Sequence, residues 1–121
     1  MKPSIRTLIH AFVFFLCCGG VCLAKRGAPS PVAPVRVGDL EYRASVSSRC
    51  PGCVEIWDIS RHRQVETIVV YRIPYKFWLE QDVQWKFITK LEVHGNDLLV
   101  LSEKGDSYRV DLATKRVTKQ K

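Results

Sequence analysis

Cys50-Pro51-Gly52-Cys53 sets two thiols two residues apart, a spacing that serves three different chemistries. Such a pair exchanges disulfides when its first cysteine opens a helix, because the helix dipole lowers the thiol pKa. Joined by two further cysteines or histidines it holds zinc. In an oxidising compartment it closes on itself as a staple. The residues after Cys53 alternate Val54, Ile56 and Asp58 against Glu55, Trp57 and Ile59, which is strand periodicity and not helix. His62 lies in the polar turn SRHRQ and His94 at a hairpin, so neither completes a ligand set with the cysteines. These residues favour a structural Cys50–Cys53 disulfide; a thiol–disulfide redox protein using the same two residues is the alternative. No catalytic residue, metal site or cofactor is expected.

The compartment follows from the amino terminus. Lys2 and Arg6 precede an uncharged apolar run, Leu8 to Leu23, which gives way to the small Ala24. A positive start, an apolar core and a small-residue stop describe a secretory signal. The run is 16 residues long, short of the ~20 that span a bilayer as a helix. The expected organisation is a signal at 1–24, a proline-rich linker at 25–36 and a β-domain at 37–121. The protein is then exported, periplasmic or extracellular, and membrane-anchored if the signal is kept. Cleavage near Ala24 leaves 97 residues, with two of the five cysteines and 17 lysines and arginines against 12 acidic residues. That length suits one domain with a modest core. The positive charge is scattered, without the basic, aromatic-interleaved stripe of a nucleic-acid binder. No nucleic-acid partner is expected; weak attraction to anionic envelope surfaces is compatible with the charge.

The elements that position the cysteines read as β throughout. WKFITKLEV puts Trp85, Phe87, Thr89, Leu91 and Val93 on one face, and VETIVVYRI does the same with Val65, Thr67, Val69, Tyr71 and Ile73. HGND and EKGD supply Gly or Asn where hairpins need positive φ. Seven antiparallel strands are expected, near 38–45, 53–59, 64–73, 85–93, 98–102, 107–112 and 116–119. The fold class is a small all-β antiparallel domain of meanders, arranged as a sheet, sandwich or small barrel. Its edge strands leave self-association open.

The two halves resemble each other at an offset of 53, where Gly52, Asp58, Ile59 and Arg63 match Gly105, Asp111, Leu112 and Arg116. VEIWDI and GDSYRVDLATKRV resemble blade strands of WD-type and pyrroloquinoline-quinone-type β-propellers, in which a Gly-led strand runs into Asp-Leu, a polar turn and a returning strand. The likeness covers about Gly52–Val65 and Asn96–Val117. The succession KFITKL, LLV, GDSYRVDL is similar to short exported bacterial proteins with no assigned activity. The resemblance implies blade-like hairpins. Two departures stand out: closed propellers need four to eight blades while the expected strands make fewer than two, and the usual Thr-Gly turn is Thr114-Lys115 here and Arg61-His62 in the other half.

Between the halves runs PYKFWLEQDVQ, Pro74 to Gln84, the longest irregular piece. Trp57, Trp78 and Trp85 suit either a core or a ligand platform. Trp78 is the best functional candidate because it lies outside the strands, where binding residues concentrate. Tyr75, Phe77, Trp78 and Leu79 either fold back as core or form an apolar patch for a protein partner. Glu80 and Asp82 lack the dense oxygen ligands of a calcium site. The expected function is an exported, non-enzymatic binding or structural module of the cell envelope.

Overall fold

A computed structural model describes residues 29–120; the expected signal at 1–24 lies outside the described residues. Eight strands form two four-stranded antiparallel meanders in simple up-and-down order. The first contains β1 (Val35–Val37), β2 (Leu40–Ala44), β3 (Cys53–Asp58) and β4 (Arg63–Val69); the second contains β5 (Ile88–His94), β6 (Asp97–Ser102), β7 (Ser107–Asp111) and β8 (Val117–Gln120). A single four-residue turn of helix, α1 (Gln81–Gln84), lies between them. The all-β expectation is met. The additional strand is β1, which starts at Val35 inside the stretch assigned to the linker and pairs Val35 with Tyr42.

Both meanders start alike because two-residue turns with glycine at positive φ let the strands reverse within their own twist. Gly38 (φ +61°) precedes Asp39 between β1 and β2, and Gly95 (φ +60°) precedes Asn96 between β5 and β6. The third strands also end alike. Ile59 donates its amide to the Asp39 carbonyl and Leu112 to that of Asn96, at 2.9 and 3.0 Å. Asp58 and Asp111 each fold a carboxylate over the following turn, accepting from the Arg61 amide and from the Ala113 and Thr114 amides respectively. These bonds hold both carboxyls below the usual range, through Ser60 first at Asp58 and through the Thr114 amide first at Asp111. His62 (φ 53°) and Lys115 (φ 61°) then take the left-handed conformation that a glycine would adopt more readily. They occupy the second position of the Arg61-His62 and Thr114-Lys115 turns.

The sheets share one core. In the first, Tyr42 faces Ile56 and Val54 faces Ile68; in the second, Leu91, Val100 and Tyr108 form one cross-strand row and Val93, Leu98, Val110 and Val117 another. Val54, Ile56, Ile88, Leu98, Val100 and Val110 are fully enclosed. Val32 of the proline-rich stretch packs against the same cluster. Lys115, in the β7–β8 turn, forms an ion pair with Glu66 of β4.

Two irregularities overturn the simple alternation. Opposite β3, Ile56 pairs with Glu66 and Trp57 with Gln64, so Val65 has no partner. Opposite β6, Ile88 pairs with Ser102 and Lys90 with Leu101, so Thr89 is the extra residue. A bulge of this kind shifts the face by one position. The Thr89 bulge aligns Ile88 with Leu91 inside and leaves Thr89 outside, while in the first sheet Ile68 and the following Val70 and Tyr71 are buried and Val65 and Val69 are exposed.

Tyr71 ties the sheets together. Its ring stacks on Tyr108 with centroids 5.1 Å apart, and its hydroxyl donates to the Lys86 carbonyl at 2.5 Å. Burial, with smaller contributions from Tyr108, Glu103 and Asp106, raises its pKa above the ordinary tyrosine value; burial likewise raises that of Tyr42. A folded-state pKa raised in this way stabilises the fold fully below the unfolded tyrosine value of about 10, and the stabilisation is lost as pH rises beyond it. Tyr71→Phe is expected to cost about 1 kcal/mol at pH 7 through the lost hydrogen bond, and to flatten the alkaline fall in stability. Urea unfolding of both proteins between pH 7 and 11.5 tests this; equal pH dependence would remove Tyr71 from the account.

Candidate functional site

The chain leaves the core at Tyr71 and returns at Phe87, both buried. The Tyr71–Lys86 hydrogen bond closes the neck of the excursion between them. Lys86 also places its ammonium 4.9 Å from the Tyr71 ring centre and 3.2 Å from Asp106. That bond, aided by Lys119 at 3.8 Å, holds the Asp106 carboxyl below its usual range.

Inside the loop, one side chain does what a second strand would otherwise do. The Gln84 carbonyl oxygen accepts from the Lys76 amide at 2.6 Å, and its NH2 group donates to the carbonyls of Lys76, Leu79 and Glu80 at 3.0 to 3.2 Å. These bonds satisfy backbone groups that would otherwise turn to water or to a partner strand. The backbone is held inward, and the apolar side chains point out. Phe77 is 95 % exposed, Trp78 65 %, Val83 58 %, Leu79 45 % and Tyr75 43 %. Phe77 and Trp78 meet edge to face at 5.1 Å, a favourable aromatic geometry. Behind them a shallow pocket of about 280 Å³ is lined by Ile73, Pro74, Lys76, Leu79, Val83 and neighbouring lysines.

Of the two arrangements expected for Tyr75, Phe77, Trp78 and Leu79, the structure has the exposed one. The other tryptophans are half-buried. Trp57 donates to Glu55 at 3.1 Å and carries the Arg43 guanidinium 4.4 Å from its ring centre; Trp85 lies edge-on to Phe87. Glu80 and Asp82 flank the start of α1, and neither caps it with a side-chain bond.

Cys50 and Cys53 stand at disulfide distance, their Cα atoms 5.4 Å apart. Cys53 is 2 % exposed and opens β3, so no helix amino terminus lies at the pair to stabilise a thiolate. The pair instead closes a tight turn, with the Cys50 amide donating to Ser47 and the Cys53 amide to Cys50. The Gly52 carbonyl at its apex accepts from the amides of both Val70 and Tyr71. A Cβ on Gly52 would fall 2.4 Å from the Tyr71 carbonyl oxygen and 2.5 Å from its ring. The cysteine turn is thus seated directly on the residue that closes the loop neck. Cys50, Tyr71 and Tyr75 share one small pocket with Arg49 and Arg72. Among the described residues no group of three or more His, Cys, Asp or Glu is placed to hold a metal ion. The sequence reading placed Tyr71 on a strand face and Gly52 in the cysteine motif and the repeat, but the support that these two and Gln84 give the loop escaped it; only the glycine between the cysteines offered a local signal.

The two halves of this support differ in strength. Replacing Cys50 and Cys53 by Ser is expected to leave a folded domain at a cost of about 2 kcal/mol, since the closed loop is short. Gly52→Ala is expected to cost about 3 kcal/mol, because the methyl group meets main chain as well as a side chain. Denaturant midpoints of the two variants check the order, which an unperturbed Gly52→Ala protein would reverse. No protein-family model matches the chain, and no curated protein matches it in sequence.

Proposed function

We infer that the chain is an exported, non-enzymatic binding module of the cell envelope that docks through the 74–84 loop. The observation that carries this reading is the exposure of Phe77 and Trp78 on a backbone already fixed by Gln84. Exposed apolar clusters of this kind mark interaction sites, and a preformed loop avoids the ordering cost that a flexible one incurs on binding. Export is supported by the positive, apolar and small-residue order of Lys2 to Ala24 and by a cysteine pair at disulfide distance. The two meanders act as two blade-like repeats forming a scaffold, a reading supported by their matched glycine turns and by His62 and Lys115 at the 53-residue offset. The buried positions do not follow that offset: Ile56 is enclosed whereas Arg109 is exposed.

Trp78→Ala is expected to shift the thermal midpoint by no more than about 3 °C, as for other surface substitutions. The same change should remove the discrete adduct formed in cells by a photo-cross-linking residue at position 77. A midpoint loss of 8 °C or more, with no adduct in the parent protein, would return the segment to a structural role.

A further inference from the structure

We propose that the pocket beside the cysteine turn binds a small organic oxyanion, a carboxylate or phosphate borne on an apolar or aromatic body. The site goes beyond the docking reading and does not depend on it, since neither Phe77 nor Trp78 lines this pocket. Three observations carry it.

The first is an excess of donors. Arg49 and Arg72 reach the pocket from separate segments, one just before Cys50 and one just after Tyr71. Arg43, Arg61 and Arg109 each hold a carboxylate. The side chains of Arg49 and Arg72 are exposed and have no hydrogen-bond or ion-pair partner among the described residues. Tyr75, in the same lining, is 43 % exposed and its hydroxyl is likewise unengaged among them. A guanidinium donates and cannot accept, and no carboxylate lines the pocket. The acidic groups whose charges reach Tyr71 are Glu103 and Asp106, and Asp106 is already held by Lys86 and Lys119. Lys76, Lys86 and Lys104 line the neighbouring pocket of the 74–84 loop, so the surroundings add positive charge. Donors without an acceptor select an anion, and guanidinium forks suit the paired oxygens of carboxylate or phosphate.

The second observation is the rest of the lining. The cysteine turn, Ile73 and the two tyrosines give apolar and aromatic surface, which takes an uncharged body beside the anion. The cavity is about 220 Å³, below the roughly 300–1,000 Å³ of sites that enclose drug-sized ligands, and so suits a single ring or short chain. An extended polyanion needs a continuous basic track, whereas here two arginines meet at one small cavity. The third observation is that both arginines stand on backbone the fold already holds. The Arg49 amide donates to the Ser47 hydroxyl oxygen at 3.2 Å, and Cys50 after it is tied into the disulfide turn. Arg72 follows Tyr71, whose amide, ring and hydroxyl are all engaged. Fixing the donors beforehand lowers the ordering cost of binding.

The test follows the arginine side-chain Nε–H resonances of the full chain by NMR, with benzoate and phenyl phosphate as probes and benzamide as their uncharged counterpart. Saturable shifts at Arg49 and Arg72 are expected with either anion and not with benzamide; the tighter anion identifies carboxylate or phosphate as the group recognised. Arg49→Gln and Arg72→Gln are each expected to weaken binding about tenfold, the order of one charge-assisted hydrogen bond. Arg36→Gln removes the same charge from an exposed position on β1 outside the pocket and is expected to leave binding unchanged. Circular dichroism verifies the fold of each variant, and the comparison of benzoate with benzamide on the unaltered chain needs no variant at all. Absence of saturable shifts with both anions would overturn the site. Equal binding of benzamide would also overturn it, leaving an apolar cleft only, as would equal weakening by Arg36→Gln, leaving diffuse surface charge only.

Discussion

Tyr71 is held on three sides, and each contact belongs to a different part of the molecule. Its amide and that of Val70 rest on Gly52 of the cysteine turn, its ring lies on Tyr108 of the second sheet, and its hydroxyl grips the chain where it comes back at Lys86. A buried phenol needs a partner for its hydroxyl, and here the partner is the main chain that leads into β5. The constraint that joins the sheets is therefore the same one that closes the loop. A disturbance at Gly52 is felt at the core and at the loop neck together, because no intervening residue absorbs it. The disulfide turn takes part in this as the seat of Gly52.

The strands on either side of the loop are each bulged, at Val65 and at Thr89. Each bulge lies in an edge strand of its sheet, β4 and β5, and these are the strands nearest the connecting loop in sequence. The Thr89 bulge puts Ile88 on the face of Leu91; the adjacent buried pairs Val70–Tyr71 and Phe87–Ile88 form where the chain passes out of β4 and into β5. A strictly alternating chain would have put one of each adjacent pair in water. Bulged edges are also poor templates for stray pairing.

Much of the scaffold was legible in the sequence because turns and strands are local. Gly95-Asn96 and Gly105 announced hairpins, and β3, β6, β7 and β8 lie within a residue of their expected positions. The faces of β4 and β5 were not legible, since a bulge leaves no residue-type signature and inverts everything on one side of it. β1 was hidden by the prolines before it. The candidate loop was located from its irregularity, but the outward direction of Phe77 and Trp78 was not readable, as the same side chains suit a core equally well. Gln84 was invisible for a further reason: its four hydrogen bonds depend on a fold-back of backbone that no spacing encodes.

Those bonds have a consequence of their own. Gln84 recognises carbonyls and an amide, which every residue but proline supplies, and it touches none of the side chains at the tip through them. The shape of the loop is consequently decoupled from the identities of residues 77 to 79. Descendants of this chain could exchange the tip residues wholesale, acidic for aromatic or small for large, without renegotiating the fold beneath. The loop is in this sense a cassette, and selection can retune its chemistry at little risk to the scaffold.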